Sequence, residues 1–330
     1  MEKIYDMIII GSGPAGLSAA IYAQRAKLDT LIIEKDMVSG GQVLNTYEVD
    51  NYPGFPGING FDLGTKWREH ADGLGAVFVT DEVRKIEKDE GKDCEDVRGA
   101  EMGELLRAAE LTPRADRKLV ICENGTYRTK TVLIATGAHH QNLGVPGESE
   151  LSGRGVSYCA TCDGAFFRNK TVAVVGGGDV ALEDAFFLSR ICEKVYLIHR
   201  RDELRGSKSL QERIFKQENI EILWDTVVEE IQGKDNVEKL KLKNKKTGET
   251  KELPASGIFI AVGIIPNSQM FQGIVDMEKG YIKAGEDGRT SVPGIFAAGD
   301  VRTKQLRQIV TAAADGANAV TSAEQYLSEC

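Results

Sequence analysis

Short apolar runs alternate along the chain with stretches in which small and aliphatic residues recur at helical spacing. Met7–Ile10 is apolar throughout, as expected of a strand covered on both faces. It leads into Gly11-Ser12-Gly13-Pro14-Ala15-Gly16, then an alanine-rich helical stretch over Leu17–Ala26. A second apolar run, Thr30–Ile33, follows and ends on Glu34. The same order returns as Thr171–Val175, Gly176-Gly177-Gly178-Asp179-Val180-Ala181, an amphipathic stretch over Leu182–Cys192, and Val195–Ile198. Strand, glycine turn, helix and strand, written twice, predict an α/β protein with two Rossmann-like dinucleotide-binding domains. Between Lys88 and Lys118 the pattern gives way to a long charged segment. There Met102, Leu105, Leu106 and Ala109 fit helical spacing, so that a short surface helix and a solvated excursion are both open readings.

Composition narrows the function classes. With 41 basic and 50 acidic side chains the formal charge is −9, which argues against a nucleic-acid partner because phosphate binding needs a basic surface. The apolar runs are strand-sized and far short of a membrane span. The first residues lack the apolar core of a secretory peptide, so a cytoplasmic location is expected. The six cysteines stand at 94, 122, 159, 162, 192 and 330; one pair alone is close in sequence, which is no disulfide scaffold.

The chemistry of the first glycine turn follows from its shape. Gly11 permits the tight turn, Gly13 lets backbone approach a pyrophosphate, and Gly16 allows helix and strand to pack closely. The helix start offers N–H groups and a favourable dipole to phosphate. Glu34, 23 residues after Gly11, can accept from ribose hydroxyls. A purely structural glycine turn is the competing reading. In the second unit the same offset from Gly176 lands on His199, followed by Arg200 and Arg201 with Arg205 close behind. A carboxylate there would repel the 2′-phosphate of NADP, whereas guanidinium groups match its oxygens. These four residues are expected to select NADPH, with a solvated basic strand end as the alternative.

Cys159-Ala160-Thr161-Cys162 precedes the second unit and is followed by Asp163 and Gly164. Two intervening residues let the sulfurs meet within one turn and cycle between dithiol and disulfide. A zinc site would need two further ligands, and neither a second CxxC nor an HxxxH is present. A thioredoxin-type domain and a pair of inert cysteines also remain open. Asp163 reads either as a proton donor or as a turn residue ahead of Gly164.

Taken together these motifs resemble the low-molecular-weight NADPH-dependent thioredoxin reductases, the class II pyridine nucleotide-disulfide oxidoreductases. The likeness runs in order along most of the chain: GSGPAG at 11–16, GGQ at 40–42, VDNYPGF at 49–55, IATGA at 134–138, CATCDG at 159–164, GGGD at 176–179, HRR at 199–201, AVGIIPN at 261–267, FAAGDV at 296–301 and RQIVTAAADG at 307–316. The resemblance implies an FAD site at Gly11, Ser12, Gly13, Pro14, Ala15, Gly16, Glu34, Lys35, Gly40, Gly41, Gln42, Asn51, Val83, Gly137, Asp300, Arg307 and Gln308. It implies an NADPH site at Gly176, Gly177, Gly178, Asp179, His199, Arg200, Arg201 and Arg205. Cys162 would be the sulfur next to the flavin, Cys159 the one that attacks the protein substrate, and Asp163 the general acid. The implied partner is thioredoxin or a thioredoxin-like protein, and the implied assembly a homodimer that alternates between two domain orientations. One flavin needs motifs from both ends of the chain. The FAD domain is therefore expected to be discontinuous, at 1–139 and 266–330, with the NADP domain at 140–265 inserted through crossings near His139–Leu143 and Gly263–Asn267. The long segment between Lys88 and Lys118 departs from the pattern. A ferredoxin- or flavin-driven reductase of the same fold would lack the intact GGGD and HRR. A non-enzymatic flavin-binding sensor would need a disabled relay, whereas Cys159, Cys162 and Asp163 are all present.

Overall fold

The computed structural model describes residues 3–46, 49, 51–89 and 117–329, so the helical spacing at Met102, Leu105, Leu106 and Ala109, like Cys94 and Cys330, lies outside the described residues. The chain divides into two compact units. One comprises Met1–Leu44, Asn59–His139 and Pro266–Cys330, the other Asn45–Ile58 and His140–Ile265. The segment 45–58 thus groups with the second unit, a grouping that its sequence position did not suggest.

Among the described residues the first unit is built on a seven-stranded sheet in the order Val77–Thr80, Thr30–Glu34, Ile4–Ile10, Thr126–Ile134, Lys118–Cys122, Val83–Lys88, with the strand Ile295–Ala297 also pairing to Thr126–Ile134. Alternation along Ile4–Ile10 explains why the run is apolar throughout. Met7 and Ile9 point to one face, where Leu17, Ala19, Ala20 and Ala23 of the helix Pro14–Arg25 and Ala319, Val320 and Ala323 of the helix Ile309–Glu329 cover them. Ile8 and Ile10 point to the other, against Leu31, Ile33, Val83, Ile86 and Val120. Complete burial of such a side chain stabilises the fold by roughly 1.5–3 kcal/mol, so both faces of this strand hold the layers together. The two helices approach very closely: a Cβ on Gly316 would stand 2.1 Å from the carbonyl oxygen of Ala15. Val83–Lys88 and Lys118–Cys122 pair antiparallel with Lys88 opposite Lys118, so the charged segment joins the two arms of a hairpin.

A buried ion cluster fixes the turn that follows Ile295–Ala297. Asp315 takes Arg302 Nη2 at 2.6 Å on one carboxylate oxygen, and Arg302 Nε and Lys304 Nζ at 2.8 Å on the other, which also accepts the Gly299 amide at 2.9 Å. Burial alone would push the Asp315 carboxyl up, but the hydrogen bonds and charges of Arg302 and Lys304 outweigh it and hold the group below the usual carboxylate range. A depressed folded-state pKa contributes stability above the ordinary carboxylate value, and this is lost as pH falls through the depressed one. Asp315→Ala leaves two buried cations without their anion, and is expected to cost about 3–5 kcal/mol, read as a lower denaturant midpoint.

The second unit carries a five-stranded parallel sheet in the order Ile220–Leu223, Lys194–Ile198, Thr171–Val175, Gly257–Ile260, Val156–Ser157. One face packs on the helices Asp179–Ser189 and Lys208–Phe215 through Ala181, Leu182, Ala185, Leu188 and Ile214. The other is covered by a three-stranded antiparallel sheet, Thr226–Gln232, Lys239–Asn244 and Thr250–Pro254, which supplies Val228, Ile231, Leu240, Leu242 and Leu253. The chain passes between the units along Ala138–His140 and Ile264–Pro266, which pair as two strands. Among the described residues no helix is long and apolar enough to cross a membrane.

Candidate functional site: two glycine turns and a disulfide turn

At the first turn the glycines answer different demands. A Cβ on Gly16 would lie 1.9 Å from the Gly11 carbonyl oxygen, so packing forbids any other residue there. Gly13 meets nothing nearer than the Gly41 Cα at 3.9 Å, so protein packing does not require it, and the open space suits a ligand's approach. The helix Pro14–Arg25 starts from Gly13 with no side chain capping its first amides. Glu34 braces the turn: one carboxylate oxygen accepts from the Ser12 amide at 2.7 Å and from its hydroxyl at 2.8 Å, while the other accepts from the Asp36 amide at 3.1 Å. The carboxylate predicted to meet a ribose therefore also shapes the loop. Lys35 is exposed beside it. Gly40 donates its amide to the Ser12 carbonyl at 2.9 Å, and Gln42, in the short helix Gly41–Asn45, donates Nε2 to the Ala138 carbonyl. Gly137 has open space around it, and Val83 is buried at the start of its strand.

Two residues of the expected FAD site each carry a polar atom that the fold leaves over. Among the described residues Asp300 Oδ1 and Arg307 Nε are buried without a hydrogen-bond partner. Burial pushes the Asp300 carboxyl up, against the pull of Lys304 and Arg307, and the Arg307 guanidinium lies over the Tyr281 ring at 4.1 Å. Buried polar groups are normally satisfied, so an acceptor and a donor left open in this way fit a polar ligand such as a flavin with its hydroxylated chain. Asp300 rides on the short helix Gly299–Val301, whose first amide is held by Asp315. Gln308 precedes the helix Ile309–Glu329 and donates its amide to Thr311 Oγ1 at 3.2 Å. Asn51 is exposed in the segment grouped with the second unit.

The second turn requires one correction to the sequence reading. His199 does not face outward with the arginines. Its ring is buried, with Nδ1 at 2.9 Å from the Gly176 carbonyl and Nε2 at 2.9 Å from the Glu203 carbonyl. A Cβ on Gly177 would lie 2.2 Å from that ring, so the middle glycine makes room for the histidine. Burial, and then the charges of Arg205 and Arg201, lower the His199 pKa against the pull of the two carbonyls. His199 thus props the loop from inside, while Arg200, Arg201 and Arg205 are exposed, and among the described residues none of the three is in an ion pair. Arg205 donates its amide to the Gly177 carbonyl at 2.7 Å, which fixes the basic segment to the turn. Asp179 Oδ1 accepts the Ser207 amide at 2.7 Å, and a Cβ on Gly178 would meet no atom within 4 Å. The helix Asp179–Ser189 starts there with no side-chain cap.

Cys159 and Cys162 are joined by a disulfide at the junction of the strand Val156–Ser157 and the short helix Ala160–Asp163. The Asp163 amide donates to the Cys159 carbonyl at 3.1 Å, closing the turn. Asp163 Oδ2 accepts from the Ser157 hydroxyl at 2.6 Å. Burial pushes the Asp163 carboxyl up and the Ser157 hydrogen bond pulls it partly back. Cys122 and Cys192 differ in kind: burial raises their thiols to about 12 and about 11, which leaves them unreactive near neutral pH. The roles of Ser157, Asp315, Arg302 and Lys304 were not foreseen. Their partners lie across turns, and although Asp315 falls within the 307–316 motif, nothing in the sequence points to its pairing with Arg302 and Lys304.

Comparison with known proteins gives the family of the chain. The family model of the pyridine nucleotide-disulphide oxidoreductases matches residues 5–316. The chain is 47% identical to the thioredoxin reductase of Listeria innocua, over 99% of this chain and 95% of that protein. It is 44% identical to that of Bacillus subtilis, over 99% and 96%. Among solved structures, the thioredoxin reductase of Streptococcus pyogenes is similar with a TM-score of 0.88 at 42% identity, covering 100% of both chains.

Proposed function

The chain belongs to the pyridine nucleotide-disulphide oxidoreductases, and from that premise we propose that it reduces the disulfide of a thioredoxin with electrons from NADPH. The family implies a flavin and a pyridine nucleotide; the finer assignment is FAD in the first unit and NADPH in the second. The observation that carries the reading is the Cys159–Cys162 disulfide, set in a turn with a half-buried carboxyl at Asp163 and accompanied in the same chain by two uncapped glycine–helix turns.

FAD would be held by Gly11–Gly16, Glu34, Lys35, Gly40–Gln42, Val83, Gly137, Asp300, Arg307 and Gln308, and it supplies the conversion of hydride transfer into reduction of a disulfide. Asp300 and Arg307 favour this assignment because each brings an unspent polar atom to the site. NADPH would be held by Gly176–Asp179 with Arg200, Arg201 and Arg205 on its 2′-phosphate, and His199 keeps that loop in shape. Cys159 attacks the partner's disulfide and forms a mixed disulfide; Cys162 then displaces the reduced partner and restores the intramolecular bond. Asp163 holds the proton that a departing sulfur takes up. The acting form is proposed to be a cytoplasmic homodimer, with the FAD domain at 1–139 and 266–330 and the NADPH domain at 140–265.

Purified protein supplied with FAD, NADPH and a thioredoxin is expected to consume NADPH in proportion to thioredoxin disulfide, with NADH far less effective. NADPH consumption indifferent to the thioredoxin would contradict the proposal.

A further inference from the structure

Ser157 lies two residues before the disulfide and is buried, yet three polar groups converge on its one hydroxyl. The Cys159 amide donates to Oγ at 3.1 Å. Asp163 Oδ2 stands at 2.6 Å and the Cys159 carbonyl at 3.3 Å, both within reach of the single hydroxyl proton. A hydroxyl has one proton to give and two lone pairs to receive with. When Asp163 is ionised, the proton goes to its carboxylate and one lone pair takes the Cys159 amide. When Asp163 is protonated, the second lone pair takes the carboxyl O–H and the serine proton turns to the Cys159 carbonyl. Every group is satisfied in both states, and a rotation of one hydroxyl converts one into the other.

From this accounting we propose that Ser157 is the positioning residue for Asp163. It keeps a half-buried carboxyl hydrogen-bonded before and after that carboxyl gives up its proton. The inference rests on the proton-donor role of Asp163 proposed above. Reduction of the Cys159–Cys162 bond takes two electrons, supplied by the reduced pyridine nucleotide that the family uses, and two protons, and yields two thiols. The S–S bond breaks, one of the two protons arrives with the hydride of the reduced nucleotide and the other comes from Asp163, and the carboxylate left behind is received by the Ser157 hydroxyl. Without that hydroxyl the ionised carboxyl would be stranded in a half-buried site, which is costly. Alanine in the same place leaves the Cys159 amide without its acceptor as well.

The test is the pH dependence of NADPH-driven thioredoxin reduction in the holoenzyme, read beside the infrared carbonyl band of protonated Asp163, with Asp163→Asn identifying both the limb and the band. Donation requires the protonated form, so activity falls as pH rises through the Asp163 pKa. Ser157→Ala removes a bond that favours the charged form, so limb and band both move to higher pH, by about one unit. Ser157→Thr keeps the hydroxyl and is expected to restore both. Should the alanine variant fail to accumulate, Ser157→Cys, a weak donor, is expected to move both in the same direction by less. A limb and band that stay put in Ser157→Ala, or that threonine does not bring back, would overturn the proposal. A limb that survives Asp163→Asn would instead remove Asp163 as proton donor, a separate failure that shows before any Ser157 variant is made.

Discussion

Cys162→Ser is expected to lower thioredoxin reduction roughly a thousand-fold or more, while NADPH-dependent loss of flavin absorbance persists. The reason lies in the covalent arrangement. The two sulfurs are bonded to each other across one turn, and no other described cysteine can take over, because Cys122 and Cys192 are buried thiols whose pKa values are raised to about 12 and about 11. A serine hydroxyl neither forms the disulfide nor resolves a mixed one. The glycine turns and the Asp300–Arg307 pair are untouched, so cofactor binding should survive. The same variant should trap on Cys159 a thioredoxin whose own resolving cysteine is replaced by serine, supplied as an activated mixed disulfide, as an adduct that a reductant releases on a gel. Turnover at the normal rate would show that electrons take another route.

The second large effect concerns cofactor choice. Arg200→Ala with Arg201→Ala is expected to raise KM for NADPH roughly a hundred-fold and to leave KM for NADH nearly unchanged, since each guanidinium offers charge-assisted hydrogen bonds that only a 2′-phosphate can accept. Both arginines are exposed, and among the described residues neither is in an ion pair, so nothing in the fold needs them. His199→Ala should behave differently. Removing the ring takes the prop from between the Gly176 and Glu203 carbonyls, so both nucleotides should bind worse. Steady-state kinetics with the two nucleotides separate a phosphate contact from a loop defect.

The four strands beside the glycine turns were readable because each carries an apolar run bounded by polar residues or glycine, whereas strands such as Val83–Lys88 and Lys239–Asn244, rich in charged residues, carry no such run. Thr171–Val175 carries the bounds the apolar run predicted, between Lys170 and Gly176. The helices start earlier than their apolar spacing suggests, at Pro14 and Asp179 instead of Leu17 and Leu182, because the first turns carry little apolar signal and their glycine N-caps hold no capping side chain. His199 was misplaced for a different reason. Spacing put it beside the arginines, but direction at a strand end is decided by what the side chain can reach, and this ring turns inward to where its one N–H can donate to a backbone carbonyl, Gly176 on one side or Glu203 on the other. The Ser157–Asp163 bond and the clamp of Arg302 and Lys304 on Asp315 were invisible for the same physical reason. Each joins residues whose proximity exists only once turn or helix has formed. The grouping of 45–58 with the second unit is tertiary as well.

The central claim is that one chain carries electrons from a pyridine nucleotide through a bound flavin into the Cys159–Cys162 bond. Its most direct test is anaerobic titration of the purified, FAD-loaded protein with NADPH, with free thiols counted at the end point under denaturing conditions. The account predicts that the titration yields a reduced flavin together with two thiols more per chain than the oxidised protein, and that Cys159→Ser with Cys162→Ser abolishes that gain without preventing flavin reduction. A flavin that is fully reduced while the thiol count stays at its oxidised value would contradict it.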